Sequence, residues 1–586
     1  MFRRINFLMP LLIYSFVATL LCIPRSVEGK GGTMPVRFAV IGDRTGGHTP
    51  GVYGAIISEI ELLKPDFVMT VGDMIEGYGS DYTRTEAEWD EYLALVEPLF
   101  CPIHFTPGNH DIWDDRSRDI YRNRISENYH SFDYLGLHFV VLDVSLINRT
   151  EDFPQDQLDW LKKDLKKNRK AAQTFVFMHK PLWFQTLTHG KSDRLHEVFR
   201  EYGVDAVFTG HFHNYFSAEY DGIKYTSIGS SGGGSEPMPH GLLYHFAWVT
   251  VDERGISVAV IKKDSVLPWD NFTAQQLVLV DSLQRAGINL DGKIVISEET
   301  PLENLMFSLR IHNPAAGFAF ADTLRWEVEG GWKVEPVCLP VVLLPGGDQY
   351  LEFKLSNQGE LYPVPVVALN FAYAEGELFK VEHPLQLTRE TRCYMVDSPP
   401  SIDGRIDEAC WQSPVVNLYD ASGTPAKTDP VQFYFSMDEA NLYLAATCWD
   451  NEIAGLSENT AEHDGAVYND DCVGYFFQPD TDKDEVFQIY INPRGTVYDV
   501  RFFANDQRQW DAARDWNGEF EIKTIKAEDY WSLEARIPFD QLGVKIGDAD
   551  KWGVNFRRKQ PRLKAAADWQ LPVSFDPNTL GMMFFE

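Results

Sequence analysis

Cysteine is scarce in this sequence, and its spacing gives no indication of a thiolate zinc site. None of the seven cysteines forms a CxxC pair, which is the usual spacing of structural zinc ligands. Four of them lie in the last third of the chain, where two disulfides and buried free thiols are both open interpretations. These four are Cys393, Cys410, Cys448 and Cys472.

Positive charge is also in short supply. The chain has 53 Lys and Arg against 86 Asp and Glu, a formal net charge of −33. A field of that sign repels nucleic acids and anionic membrane surfaces, so we expect neither as a partner. Any site that handles phosphate must therefore obtain positive charge locally, from arginine, lysine or metal ions.

Long apolar runs are absent except at the N-terminus. Arg3 and Arg4 precede an apolar run from Ile5 to Cys22, which is followed by polar and small residues. This pattern predicts a signal peptide over residues 1–29, although an uncleaved membrane anchor is an open alternative. We expect an exported protein, either secreted, periplasmic or at the cell surface, without a further transmembrane span.

A chain of 586 residues is too long for one hydrophobic core. Residues 33–264 alternate apolar strands with amphipathic helices such as Tyr53–Leu63 and Gln155–Lys167, which predicts an α/β domain. Residues 265–390 predict a connector and an immunoglobulin-like β-sandwich spacer, and residues 391–586 predict a second all-β sandwich. In the α/β domain, functional groups are expected at the carboxyl ends of the strands.

Five apolar runs of the α/β region end in residues that commonly bind metals. A single Gly-Asp pair or histidine is weak evidence, but five in succession at strand ends indicate one site. In chain order these residues are Gly42-Asp43, Gly72-Asp73, Gly108-Asn109-His110-Asp111, His179 and Gly210-His211-Phe212-His213.

This order of motifs resembles the calcineurin-like metallophosphoesterase superfamily over residues 36–262. The resemblance implies a four-layer α/β/β/α sandwich and two divalent ions of the Mn, Fe or Zn class, with a bridging water as nucleophile. It also implies that His110 lies beside the substrate and that Asp111 orients its ring. Asp73 would bridge the two ions, Asp43 and His213 would complete one site, and Asn109, His179 and His211 the other.

The sequence departs from the family at its first motif. The family usually has Asp-x-His, whereas this chain has Asp43-Arg44-Thr45, so one histidine ligand is missing. Glu76 or a water molecule is a candidate replacement, and a supporting role for Glu76 is equally open. Arg44 and His48, on a Gly-rich turn beside the site, are candidate substrate-binding residues.

The last 190 residues resemble the family 9 carbohydrate-binding modules. The resemblance rests on Ile402-Asp403-Gly404, Trp411, Asp470-Asp471-Cys472-Val473 and Trp552-Gly553, among other positions. Sugars are held by exposed aromatic rings, and Trp510 and Trp516 lie in a polar stretch that favours exposure. The acidic residues Asp464, Asp470 and Asp471 are a candidate calcium site.

The sequence therefore predicts an exported dimetal phosphoesterase that acts on phosphate mono- or diesters and is tethered to polysaccharide or another glycan by its C-terminal module. Two alternatives remain open. One is a non-catalytic glycan-binding protein with a degenerate phosphoesterase domain, and the other is a carbohydrate-active hydrolase that cleaves O-glycosyl bonds.

Overall fold

The computed structural model describes residues 35–586 except 235–238, 240–241, 298–301, 504–515, 546, 548–549 and 575. The predicted signal peptide lies outside the described residues. The chain divides into two compact units, with the boundary between Gln275 and Gln276. Among the described helices, none combines the length and the apolar character needed to cross a membrane.

The first unit contains α-helices and the strands of two sheets. Its helices are α1 (Val52–Leu63), α2 (Tyr82–Val96), α3 (Asp115–Arg124), α4 (Gln155–Lys167) and α5 (Arg194–Tyr202). Its strands are β1 (Val36–Ile41), β2 (Phe67–Thr70), β3 (Ile103–His104), β4 (His130–Tyr134), β5 (Leu137–Val141), β6 (Thr174–Phe177), β7 (Ala206–Thr209), β8 (Phe216–Tyr220), β9 (Ile223–Ser227), β10 (His245–Asp252), β11 (Gly255–Lys262) and β12 (Ser265–Pro268).

The strands of this unit form two six-stranded sheets, in the orders β12-β11-β10-β1-β2-β3 and β4-β5-β6-β7-β9-β8. Within them β1, β2 and β3 run parallel, as do β5, β6 and β7. Parallel strands bring their carboxyl ends to the same sheet edge, and those ends carry the predicted site residues. An α/β domain is confirmed, whereas the specific four-layer arrangement stays a prediction.

Aromatic side chains form the core between the two sheets. The Phe38 ring, on β1, makes edge contacts with Phe139 and Phe175 of the second sheet, at centroid distances of 5.6 and 5.5 Å. On its other face the first sheet packs against α1 and α2, where Trp89 and Tyr92 are fully buried. Strands β1 and β2 are thus covered on both faces, which explains why they are almost continuous apolar runs.

The second unit is almost entirely β-structure. Helix α6 (Ala274–Ala286) begins at the boundary between the units. The strands are β13 (Ile288–Asp291), β14 (Ile294–Ser297), β15 (Leu302–His312), β16 (Phe320–Glu327), β17 (Trp332–Glu335), β18 (Cys338–Leu343), β19 (Asp348–Asn357), β20 (Val366–Ala374), β21 (Glu377–Pro384), β22 (Leu387–Met395), β23 (Val431–Met437), β24 (Asn441–Trp449), β25 (Cys472–Gln478), β26 (Glu485–Ile491), β27 (Val497–Phe503), β28 (Glu521–Lys526), β29 (Tyr530–Pro538), β30 (Lys551–Gln560), β31 (Ala565–Asp568) and β32 (Gly581–Phe585).

Two four-stranded sheets, β13-β15-β19-β17 and β18-β16-β20-β21, follow α6. Phe307 and Phe353 of the first contact Trp326 of the second. The remaining strands belong to a twelve-stranded sheet in which β22 links β32 to β23. The boundary predicted after residue 264 falls in the turn between β11 and β12, which pair with each other, and the boundary predicted after residue 390 falls inside β22.

The described cysteines are all free thiols, so the structure decides between the two interpretations that the sequence left open. Cys393, Cys448 and Cys472 are buried in the C-terminal core, where they pack as small apolar side chains.

Candidate metal centre

The carboxyl ends of five strands deliver the predicted ligands to one place. Each residue follows its strand directly or after a short turn, so the backbones of the two sheets set its position. Asp43 follows β1, Asp73 follows β2, Asn109 follows β3, His179 follows β6, and His211 and His213 follow β7.

These side chains form two groups that share Asp73. One group contains Asp73, His179 and His211, and the other contains Asp43, Asp73 and His213. Within each group the candidate ligand atoms lie within 4.8 Å of one another. This is the partition that the sequence predicts, and the role of each residue as a ligand stays a prediction.

A hydrogen bond to the backbone determines which nitrogen of His179 faces the site. Its Nδ1 donates to the backbone oxygen of Val71 at 2.8 Å, and a carbonyl can only accept, so Nδ1 carries the proton. Nε2 then lies 3.0 Å from Oδ2 of Asp73 and 3.1 Å from Oδ1 of Asn109. An outer hydrogen bond of this kind orients metal-binding histidines generally.

His213 and Asn109 are oriented in the same way. Nδ1 of His213 contacts the backbone oxygen of Gly234, which leaves Nε2 on the side of Asp43, 3.8 Å from Oδ1. Nδ2 of Asn109 donates to the hydroxyl of Tyr78 at 2.9 Å, so its Oδ1 faces His179. Tyr78 is a supporting residue that the sequence analysis missed, and its place between Gly77 and Gly79 is the one signal that marks this loop.

The backbone around the site is tightly constrained. A Cβ on Gly108 would lie 2.1 Å from Oδ1 of Asp73, so only glycine fits before Asn109. Asp73, His211 and His213 have positive φ angles of 59°, 75° and 55°. Non-glycine residues rarely adopt this conformation, and where they do they concentrate at functional sites.

Burial and proximity shift the titration of the site. Burial raises the pKa of Asp43 to about 6, against the opposing effect of His179. Burial acts in the same direction on Asp73, but His179 and His110 lower the pKa of Asp73 to about 2. Burial acts to lower the pKa of His179, yet the carboxylates of Asp73 and Asp43 raise it to about 9. The site therefore concentrates buried negative charge that needs cations beside it.

The donor set fits a pair of divalent ions. It consists of three imidazoles, two carboxylates and one amide oxygen, without a thiolate, which suits Mn, Fe or Zn. Thr45 replaces the usual histidine, but its hydroxyl donates to the backbone oxygen of Asp73 at 3.1 Å and is buried. The group around Asp43 thus has three side-chain donors, Asp43, His213 and the shared Asp73.

The predicted contact between Asp111 and the His110 ring is wrong. Nδ1 of His110 donates to the backbone oxygen of Glu76 at 2.6 Å. The fully buried Asp111 carboxylate instead accepts from four backbone N–H groups: Asp73 at 2.8 Å, Met74 at 2.9 Å, Ile75 at 3.4 Å and Gly108 at 2.8 Å. Asp111 lies two residues after Asn109, and its carboxylate binds the backbone of the loop after β2. It therefore holds the loop that carries Asp73.

Burial and the charge of Asp73 raise the pKa of Asp111 to about 7. All four hydrogen-bonding partners are donors, however, so only the carboxylate form satisfies them.

The prediction that Arg44 binds substrate is also wrong. Its side chain is 7% exposed and turns into the protein, where Nη1 donates to the backbone oxygen of Met74 at 3.0 Å and Nη2 pairs with Glu91 at 2.5 Å. The guanidinium lies 5.8 Å from the centroid of the Tyr92 ring. These contacts use the charge that a substrate phosphate would need.

Glu76 is engaged outside the metal centre. Oε1 lies 2.7 Å from Nδ1 of His48, and Oε2 accepts from the N–H of Gly46 at 3.4 Å. These contacts correct the suggestion that Glu76 is a metal ligand and favour the supporting role. His48 itself is exposed, and its role toward substrate stays a prediction.

Of the two candidate sugar-binding tryptophans of the C-terminal region, the structure describes one. Trp510 lies outside the described residues. Trp516 is partly buried, with its ring 4.8 Å from that of Phe487 and 6.0 Å from that of Phe520. It packs on the core instead of standing clear of it, and its role in binding sugar stays a prediction.

The predicted calcium cluster is not assembled as expected. Asp470 accepts from the backbone N–H groups of Asn459 and Thr460, and Asp471 accepts from that of Ser457. Both carboxylates therefore fix a loop, whereas Asp464 lies with a different pair of side chains, described below.

Strand ends of two sheets that gather nitrogen and oxygen donors in two groups around a shared aspartate fit a dimetal phosphoesterase. Residues 36–215 match the family model of the calcineurin-like phosphoesterases. The N-terminal unit therefore contains a calcineurin-like phosphoesterase domain.

Phosphatases are among the chain's relatives. Purple acid phosphatase 15 of Arabidopsis thaliana is 29% identical, over 35% of this chain and 46% of its own. The serine/threonine-protein phosphatase CPPED1 of Homo sapiens is 28% identical, over 30% of this chain and 63% of its own. The chain thus spans less than two thirds of either relative.

Solved structures similar to parts of the chain include two kinds of protein. A dimetal phosphatase from Danio rerio has a TM-score of 0.31 and 15% identity, and it covers 40% of this chain and 99% of its own. A family 9 carbohydrate-binding module from Caldicellulosiruptor kristjanssonii, in complex with glucose, has a TM-score of 0.25 and 18% identity, and it covers 33% of this chain and 96% of its own.

Proposed function

We propose that the N-terminal unit is a metal-dependent hydrolase of phosphate mono- or diesters. The observation that carries this proposal is the sharing of Asp73 by two groups of candidate ligands, which gather at the carboxyl ends of strands from both sheets. Two divalent ions bound there would supply the charge that neutralises a phosphate and would lower the pKa of a water molecule. The ions would also provide the local positive charge that the acidic chain lacks as a whole.

The residues of the chain would hold and orient the reacting groups. His179 and His213 each have one nitrogen fixed by a backbone oxygen, so their rings are held before an ion arrives. The Nδ1 proton of His110 is held in a hydrogen bond to the backbone oxygen of Glu76, so Nε2 is the atom that gains or loses a proton. A protonated Nε2 would donate to the leaving-group oxygen, a contribution of about 10²–10⁴-fold.

The decisive experiment compares Asp73→Asn with the parent protein by metal analysis and by hydrolysis of a panel of phosphomonoesters and diesters. Loss of both metal equivalents and nearly all hydrolysis is expected, because Asp73 belongs to both groups. Asp115→Asn, which changes an exposed acid, is the matched control. Normal turnover with two metals in Asp73→Asn would contradict the assignment, and a parent that binds metal without hydrolysing any ester would favour the non-catalytic alternative.

We also propose that the protein is exported by its N-terminal segment and that the C-terminal region binds a glycan. The support is the motif resemblance over the last 190 residues and the apolar run from Ile5 to Cys22. Tethering would raise the local concentration of substrate at glycan-rich material. A glycan array with the full chain tests the binding, and Trp516→Ala is expected to weaken it roughly tenfold if the ring contacts sugar. Binding to no glycan at all would refute the tether.

A further inference from the structure

Three side chains of the C-terminal region form a cluster that is separate from the metal centre. His463 and Asp464 lie in the loop between β24 and β25, and Asp499 lies on β27. The N–H of Asp464 donates to the backbone oxygen of Val497 at 3.0 Å, and the N–H of Asp499 donates to Oδ1 of Asp464 at 3.4 Å. The loop is therefore held against the strand by one backbone–backbone hydrogen bond and one from the backbone to the Asp464 carboxylate, and the three side chains converge.

The Asp499 carboxylate is fully buried and only half satisfied. Its Oδ2 accepts from the N–H of Gly518 at 2.6 Å. Its Oδ1 has no aligned hydrogen-bond donor, although Nε2 of His463 is 2.8 Å away. A buried carboxylate oxygen whose neighbouring histidine is poorly aligned for a hydrogen bond is incompletely satisfied, and a cation bound to both groups would satisfy it.

We propose that His463, Asp464 and Asp499 bind a divalent transition-metal ion, with zinc as the best match. Their ligand atoms lie within 4.8 Å of one another, and Nε2 of His463 is 3.7 Å from Oδ1 of Asp464. One imidazole and two carboxylates suit zinc better than calcium, which prefers oxygen ligands alone. His463 is about half exposed, so the site is open to ions from solution.

The ion would stabilise the C-terminal region and take no part in phosphoester chemistry. Strand β27 is at the end of the strand order of its sheet, and its side chain Asp499 would be joined through the metal to a loop that leads into β25. Because the ligands belong to the second unit, this proposal does not depend on the proposed function of the first.

Equilibrium dialysis of the full chain against Zn²⁺, followed by metal analysis, tests the proposal. His463→Gln is expected to bind one equivalent less than the parent, and Asp464→Asn is expected to lose the same equivalent. Both residues are partly exposed, so the fold tolerates the changes better than it would a change at buried Asp499. Thermal unfolding of the parent should move to higher temperature on addition of Zn²⁺, and this part of the shift should be lost in His463→Gln.

His312→Gln is the matched control. His312 also faces a carboxylate, with Nδ1 2.9 Å from Asp348, but it belongs to no group of three ligands among the described residues. It should keep the full zinc equivalents of the parent. Equal zinc binding by the parent and by both cluster variants would overturn the proposal and reduce the cluster to an ion pair between His463 and Asp499. Phosphoester hydrolysis should be unchanged in His463→Gln, which separates this outcome from a failure of the metal centre.

Discussion

Replacing Asp111 by Asn is expected to destabilise the N-terminal unit strongly. The carboxylate accepts four backbone N–H groups, two on each oxygen. Asparagine keeps one oxygen, so two N–H groups would face its NH₂ group and lose their acceptor. A buried donor without a partner costs about 1–3 kcal/mol, which gives a loss of about 2–6 kcal/mol in the free energy of unfolding. That is a large share of the 5–15 kcal/mol that is typical of a folded protein.

The loss is measured by urea denaturation of the full chain in the presence of EDTA, so that metal binding does not contribute to the difference. Asp115→Asn is the control: its side chain is 96% exposed and pairs with the neighbouring Arg118, so a change within about 0.5 kcal/mol is expected. If Asp111→Asn lowered kcat while leaving the free energy of unfolding unchanged, the structural role would be refuted. The orienting role toward His110 would then be restored.

Two further predictions concern supporting side chains. Tyr78→Phe removes the hydroxyl that orients the Asn109 amide and should weaken metal binding about 10–100-fold in a metal titration; an unchanged titration would show that Asn109 needs no such support. Burial acts to lower the pKa of His138, but Asp164 and Asp133 raise it overall, so its stabilising effect is complete below about pH 6.5 and is lost as the pH rises through the folded-state pKa. His138→Gln should therefore flatten the fall in the free energy of unfolding between pH 6 and pH 9, and an unaltered pH profile would argue against this pair of ion pairs.

The position of the metal centre was predictable because its residues are tied to strand ends. In a parallel sheet the carboxyl ends of the strands share an edge, which places Asp43 and Asp73 together after β1 and β2. His179 follows β6 of the second sheet, so its approach depends also on the packing of the two sheets. The helices α1 and α4 were also expected, since their apolar residues follow the helical period. Backbone topology determines these features, and sequence patterns report on backbone topology.

The directions of individual side chains were not predictable in the same way. Arg44 is adjacent to a metal-centre residue in the chain, yet its guanidinium is buried against Glu91 and Tyr92. Glu76 has the right spacing and chemistry for a ligand, but His48 lies within hydrogen-bonding distance of its carboxylate. Adjacency in sequence fixes the Cα position, whereas the partner of a long side chain depends on residues from other elements.

Some motifs carry structural information that resembles functional information. The Asp403-Gly404 pair and Trp411 helped to identify the C-terminal region. In the structure the N–H groups of Asp403 and Gly404 and the indole of Trp411 all donate to the buried carboxylate of Glu534. Burial raises the pKa of Glu534 to about 6. These positions hold the start of the region to β29, so the motif reports on the fold and not on sugar binding.

The cluster of His463, Asp464 and Asp499 is a candidate site that sequence analysis did not predict. The sequence predicts a calcium site from the proximity of Asp464 to Asp470 and Asp471, but in the structure Asp464 lies with other side chains. In the structure its neighbours are the adjacent His463 and Asp499 of β27. Asp499 is close because the N–H of Asp464, in the loop before β25, donates to the backbone oxygen of Val497, the first residue of β27. A site made by one loop and one edge strand leaves no regular spacing in the sequence, so it becomes visible only when the strand order and the burial of Asp499 are known.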